Sequence, residues 1–185
     1  VAIKRGVLLI AVMITASACG GPHAGDTTTT STPAAVDFSH IPGQYPPQAT
    51  NVPGESVAPV GACVSFDGPS NNATLRIVEC GSPTNGYTVI QRVYTPDQCA
   101  PDVAQKFYMN ADEGQFTACL DYAWKSADCL SIGKVTAIRA KCEDTTMPNR
   151  EKPLKVILNT TTNADCPTGG FPHPVRKFTV CTETQ

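Results

Sequence analysis

Aromatic side chains make up only 6% of the 185-residue chain and charged ones only 16%, with a single tryptophan. That is a thin supply of large apolar groups for a protein of this length to rest on burial alone. Lysine plus arginine total 14 against 16 aspartate plus glutamate, so no basic excess stands ready to neutralise phosphates. This argues against a nucleic-acid partner. Histidine is scarce too, and of the three only His173, set between Pro172 and Pro174, falls in the cysteine-bearing part of the chain. A Ser/His/Asp triad has that one possible base, and a plain loop histidine is the simpler reading. No G-x-S-x-G elbow, H-E-x-x-H helix, Walker loop or dinucleotide glycine fingerprint is present. The carboxylate pairs Asp112/Glu113 and Glu143/Asp144 both run into Gly-, Thr- or Pro-rich loops, which reads as solvated charge rather than a glycosidase acid/base pair. No catalytic residue and no cofactor is nominated, and the chain is not expected to be an enzyme.

What the chain does hold is sulfur and proline: nine cysteines and 16 prolines, the composition of an exported, loop-rich, stapled protein. Lys4 and Arg5 precede an unbroken small and apolar run, Gly6 to Ala16. At about 11 residues it has the length of a signal peptide and is too short for a spanning helix, which needs about 20. Ala16-Ser17-Ala18-Cys19-Gly20 follows directly and reads as a lipobox, which makes Cys19 the lipidated first residue of the mature chain. Residues 1–18 are then the lipoprotein signal. Parity agrees, because removing Cys19 leaves eight cysteines that can all pair. Two or three acyl chains, at about 0.8 kcal/mol per buried methylene, anchor a protein to a membrane without spanning it. Residues 19–59, with seven prolines, a Thr/Ser run from Thr27 to Thr32 and no apolar periodicity, read as a disordered tether. The Thr run is a candidate for O-glycosylation, and Tyr45-Pro46-Pro47 has the form of a proline-motif ligand.

The remaining cysteines fall into two sets whose surroundings match in order. Ala62-Cys63-Val64-Ser65 answers Asp128-Cys129-Leu130-Ser131, and the residues before Cys80 answer those before Cys142. Tyr87 to Cys99 aligns without a gap to Leu154 to Cys166, and Gln115-Phe116-Thr117-Ala118-Cys119 answers Lys177-Phe178-Thr179-Val180-Cys181. This is an internal duplication, with modules at 60–122 and 123–185. The Val-, Ile-, Thr- and Tyr-rich stretches 74–80, 86–94, 135–142 and 154–160 predict strands. Pro101 and Asp102 predict one short helix over 100–109, in the first module only. The expected class is α+β, mainly β: two tandem disulfide-stapled modules.

Two closed sets of four cysteines allow nine pairings. A hairpin turning at 67–73 sets Cys63 opposite Cys80, and one turning at Gly133-Lys134 sets Cys129 opposite Cys142. Cys99 with Cys119 and Cys166 with Cys181 remain. Loops of this size contribute about 3 kcal/mol each in the chain-entropy model, which offsets the thin core. The closest cysteines, Cys119 and Cys129, lack the C-x(2–4)-C knuckle of zinc sites and the C-x-x-C of thiol redox sites, so no metal is expected. Tyr122 and Trp124 sit in the junction between the modules, and Trp124 is expected to pack at their interface rather than stand exposed as a binding residue. Lys106, Phe107 and Tyr108 mark the most distinctive surface of the first module.

The lipobox at Cys19, the Pro/Thr tether, Gly61-Ala62-Cys63-Val64, Val78-Glu79-Cys80-Gly81 and Phe178-Thr179-Val180-Cys181 together make the chain resemble the actinobacterial LppU lipoproteins, over roughly residues 60–183. The resemblance implies an envelope lipoprotein, anchored by lipid on Cys19 at the outer side of the cytoplasmic membrane, and supplies no catalytic residues. The function expected is an extracytoplasmic binding or scaffolding module for an envelope protein or glycan. A carrier of envelope lipid or glycolipid is the alternative, and a small cell-wall hydrolase the third.

Overall fold

A computed structural model of the chain describes residues 37–68, 72–112 and 114–185. Cys19, the apolar run and the Thr-rich stretch lie outside the described residues. The first repeat holds β1 (Cys63–Asp67), β2 (Thr74–Ile77), β3 (Tyr87–Val93), β4 (Gln105–Ala111) and β5 (Gly114–Tyr122). The second holds β6 (Cys129–Ile132), β7 (Ala137–Ala140), β8 (Arg150–Leu158), β9 (Gly169–His173) and β10 (Phe178–Thr184). Each repeat forms its own five-stranded sheet, in the orders β2-β1-β3-β5-β4 and β7-β6-β8-β10-β9. The two orders are the same topology, and all the pairings are antiparallel. The protein is mainly β and duplicated.

The register of the ladders corrects one part of the sequence alignment. Val64 faces Tyr87 as Leu130 faces Glu151, and Cys119 faces Gln91 as Cys181 faces Lys155. Both pairings place Tyr87 on Glu151 rather than on Leu154, a slip of three residues. The ladder skips Ile90 in the first repeat and Leu154 in the second, so the same bulge recurs at the equivalent position. Val156 packs on the second core, and Leu158, on the same face but at the end of β8 opposite Phe178, is 44% exposed. The gapless match to Cys166 had absorbed a loop-length difference into the strand.

The short helix expected over 100–109 is not there. A 3-10 turn, the one among the described residues, occupies Pro96–Gln98, with the Gln98 Oε1 accepting from the Thr95 N–H at 3.1 Å, and β4 begins at Gln105. Lys106 and Tyr108 are exposed while Phe107 and Met109 pack on the first core. That period of two matches a half-buried strand, and the free edge of β5 completes the ladder. Both repeats thus have a strand where one was expected to carry a helix.

The four disulfides join Cys63 to Cys80, Cys99 to Cys119, Cys129 to Cys142 and Cys166 to Cys181, with Cα separations of 5.1, 5.7, 5.0 and 5.3 Å. Every bridge closes within one repeat, in the pairs that the hairpin reasoning favours.

The segment expected as a tether is, from residue 37, part of the folded body. Phe38 and Ile41 are buried with Trp124, Leu130, Phe178 and Val180 in the second repeat's core. Val52 and Ala58 are buried with Val64, Val89, Phe116 and Leu120 in the first. Burial of three large side chains contributes about 1.5–3 kcal/mol each, enough to order an aperiodic stretch whose backbone is also bonded. Side chains of and just after β3 supply those bonds: Gln91 Nε2 donates to Pro47 O at 2.9 Å, Arg92 Nη1 to Ala58 O at 3.1 Å, and Tyr94 Oη to Asn51 O at 3.1 Å. Arg92 is also paired with Glu55. Gly54, at φ +86°, lies so close to Phe116 that an added Cβ would stand 2.3 Å from the ring. This strap, 37–59, runs from one core to the other.

Candidate functional site

Two polar constellations sit where the repeats meet. In the first, Arg176 lies between two carboxylates, with Nε donating to Asp102 Oδ1 at 2.8 Å and Nη1 to Asp121 Oδ2 at 2.6 Å. All three side chains are only 4% exposed. Arg176 Nη1 also donates to the strap carbonyl of Gln44 at 2.9 Å, and the N–H groups of Val175 and Arg176 donate to Asp102 Oδ2. Asp102 and Asp121 belong to the first repeat and Arg176 to the second, so the cluster ties both sheets and the strap together. Burial pushes the Asp102 carboxyl up, but the hydrogen bonds from Arg176, its charge and the Val175 N–H outweigh this and hold it below the usual range. Burial opposes the charge on Arg176, and the two aspartates more than reverse that, raising its pKa.

His173, at the end of β9, is buried against this cluster and stacks on Phe178 at 4.3 Å between ring centroids. Its Nδ1 lies 2.7 Å from Arg176 Nη2 and 2.8 Å from the Asp102 carbonyl oxygen. An unprotonated Nδ1 accepts from the Arg176 guanidinium, and a protonated one donates to the Asp102 carbonyl. Burial, chiefly, and the Arg176 charge push the imidazole below its ordinary pKa against the opposing aspartates. A neutral, buried ring facing a guanidinium is not placed to take a proton from a serine. His173 is therefore a strand-end residue of the junction and not the loop histidine expected.

The second constellation is an open cleft of about 410 Å³ beside the first disulfide of the β1–β2 hairpin. Its walls come from the strap (Phe38, Gln44, Tyr45), from the Cys80–Asn85 turn, from the inter-repeat residues Tyr122 to Ser126, and from Arg139 on β7. Trp124 packs at the junction as expected: its ring lies 5.6 Å from Tyr122 and 5.1 Å from Phe171 of the second repeat, centroid to centroid. Tyr122 in turn is 5.4 Å from Phe171 and 5.6 Å from Tyr87. Gly86 marks how closely the halves approach, since a Cβ there would stand 1.8 Å from the Ala137 carbonyl oxygen. The N–H of Arg139 donates to Pro83 O at 3.1 Å, which closes the outer edge of β7 at that point.

Arg139, 7% exposed in its side chain, is incompletely satisfied. Nη2 donates to Ala123 O at 2.7 Å, while its contacts to Asn85 Oδ1 and to Asp128 Oδ2 are both 3.4 Å long. Its Nε is buried with no partner among the described residues, and so is the amide oxygen of Gln44. Burial holds the Arg139 guanidinium below its ordinary pKa, with Asp128 opposing. Lys125, on the rim, reaches the same Asp128 at 3.7 Å. Asn85 is fixed at the back by its own bonds to Gly81 N and Tyr87 O.

The other residues singled out in the sequence lie apart from these clusters. Asp112 and Glu143 are exposed, and Asp144 spends its carboxylate on Thr146, whose side-chain and backbone bonds lower its pKa. Glu113 lies outside the described residues. Lys106, Phe107 and Tyr108 line a second, shallower groove with Phe66 and Val135, on a strand instead of a helix. Pro47 of the Tyr45-Pro46-Pro47 triplet is bonded to Gln91 and Tyr45 lines the cleft. Among the described residues no helix is long and apolar enough to cross a membrane, and no group of three or more His, Cys, Asp or Glu is gathered for a metal. Comparison of the chain with protein-family models, with curated proteins and with solved structures finds no match.

Sequence reasoning missed Arg139, Gln44, Asp102 and Arg176. Arg139 sits on a short edge strand among residues of ordinary composition, and Asp102 is 74 residues from its partner Arg176. Only the approach of the two sheets brings these groups together.

Proposed function

We propose that the chain is a lipid-anchored binding module of the cell envelope, held on the extracytoplasmic face of the membrane through Cys19, with the junction cleft as its binding site. One observation carries this reading: the cleft has a volume usual for small-ligand sites, about 300–1,000 Å³, and its polar wall holds a buried guanidinium and a buried amide with bonding capacity unused. Groups of this kind cost stability unless something completes them. The lipobox residues Ala16 to Gly20 and the LppU-like motifs support the anchored address. A lipid carrier needs a closed apolar cavity, and Arg139, Lys125 and Asn85 in an open cleft favour a polar ligand instead. A hydrolase needs a base with access to substrate, and His173 lacks it.

The test has two arms in the producing cells. Cys19→Ala is expected to move the protein from the membrane fraction to the soluble envelope fraction, and retention on membranes refutes the anchor. Proximity crosslinking of the anchored protein is expected to label an envelope component, and the label is expected to fall in Lys125→Ala. A crosslinking pattern unchanged by that substitution refutes the cleft as the site.

A further inference from the structure

The charges at the cleft do not balance on the side of Arg139. Arg139 and Lys125 share one carboxylate, Asp128, at 3.4 and 3.7 Å. The remaining acidic residue of the cleft, Asp37, is exposed on the rim and already accepts from the N–H and hydroxyl of Ser39 at 2.9 and 2.6 Å. The desolvated Arg139 guanidinium thus has one carboxylate beside it, Asp128, which is 3.4 Å away and shared with Lys125. An anionic oxygen from a ligand in the cleft gives the guanidinium a second counter-charge, which offsets the cost of its burial, and charge-assisted bonds of this type are the strong ones. Gln44 adds a second demand, for a hydroxyl or amide hydrogen to meet its unpartnered oxygen. The third demand comes from Tyr45, Tyr122 and Trp124, rings that suit a flat, partly apolar face with polar edges.

We infer that the cleft binds a short saccharide bearing a carboxylate. Its carboxylate meets Arg139 and Lys125, its hydroxyls meet Gln44, and its C–H face lies on the aromatic wall. The inference rests on the binding-module reading above and names the ligand class of the same site. An extended peptide suits the cleft less well, because strand addition needs a free sheet edge, and the edge of β7 at Arg139 is taken by Pro83.

Trp124 is the sole tryptophan and lines the cleft, so its fluorescence reads occupancy directly. The full chain is titrated with a trimer of galacturonic acid, with the methyl ester of the same trimer, and with triglutamate. The acid trimer is expected to give a saturable change, and the ester, which keeps the rings and loses the charge, to bind about tenfold more weakly or worse. Arg139→Gln is expected to weaken binding of the acid at least about tenfold. Because Arg139 also braces Ala123, Lys125→Ala on the half-exposed rim serves as the second variant. It is expected to weaken binding about threefold or more, and with it to reduce the salt sensitivity of binding. An ester that binds as tightly as the acid overturns the carboxylate, and triglutamate binding as tightly overturns the saccharide. Either outcome leaves the cleft as a binding site of another class. No saturable change with the acid trimer overturns the inference, and the broader reading is then judged by fractionation and crosslinking.

Discussion

Replacing Arg176 by Met removes the one cation between Asp102 and Asp121 and leaves two carboxylates, each only 4% exposed in its side chain, facing one another across the junction. It also strips a donor from the carbonyls of Gln44 and Asp102. Breaking a buried ion pair by deleting one partner typically costs about 3–5 kcal/mol, and with two acids stranded the upper end applies. For a chain of this size that corresponds to a fall in Tm of roughly 10 °C or more, at about 2–4 °C per kcal/mol. The pH dependence supplies a sharper signature. In the wild type the folded pKa of Asp102 lies below its unfolded value, so its contribution is present above that unfolded value and lost as pH falls through the folded one. In Arg176→Met burial raises the stranded Asp102 instead, and it binds its proton more tightly folded than unfolded. The deficit of the variant therefore shrinks on acidification from pH 7 to 5, by up to about 1.4 kcal/mol per pH unit as Asp102 takes up its proton. Urea unfolding with the disulfides intact, followed by Trp124 fluorescence at both pH values, measures this. The triple variant Asp102→Asn, Asp121→Asn, Arg176→Met is expected to recover most of the loss, since no charge is left buried. A cost below about 1 kcal/mol, the worth of a surface pair, or a deficit that grows in acid, refutes the account of the junction as a desolvated ion cluster.

Other expectations are simpler. The depressed pKa of His173 makes its contribution complete above its ordinary value of 6.5 and lost as pH falls below it. His173→Gln should therefore flatten the stability profile between pH 6.5 and 5, and a variant as acid-sensitive there as the wild type would exclude the histidine as the cause. Phe38→Ala, at a side chain 5% exposed, is expected to cost about 3–5 kcal/mol, measured by urea unfolding, whereas a true tether residue would cost nothing measurable. Gly86→Ala should prevent the close approach to Ala137 and leave the chain hard to recover in folded form, while Gly61→Ala, at φ +91° with open space around its Cβ position, should fold with a milder loss. Peptide mapping without reduction should recover the four bridges within their repeats, and a bridge between repeats would contradict the fold.

Local chemistry made the strands and bridges legible. Alternating Val, Ile and Thr around turn residues marked β3 and β7, and Cys63 and Cys80 flank a hairpin whose geometry dictates their meeting. Phe116 and Phe178, each followed by Thr and then an apolar residue before cysteine, are both buried, as their matching contexts implied. The strap was illegible because Phe38, Ile41, Val52 and Ala58 follow no period: they are set by turns at Gly43 and Gly54 that serve two different cores. The segment after Pro101 reads as a helix start on local propensity, and pairing with β5 overrides it. The cleft was legible only through Trp124 and Tyr122. Its polar members are ordinary residues that acquire meaning when two sheets, similar in topology and unlike in surface, close on each other.

The route of the strap has a mechanical consequence. Tension applied to the chain from its N-terminal side reaches Phe38 and Ile41 first, in the core of the second repeat, before it reaches Val52, Ala58 and β1 of the first. The load enters at the far half of the molecule and crosses the junction on its way back. A pull from that side therefore bears first on the strap and on the cleft wall formed by Phe38, Gln44 and Tyr45, whereas each repeat is closed by two disulfides of its own.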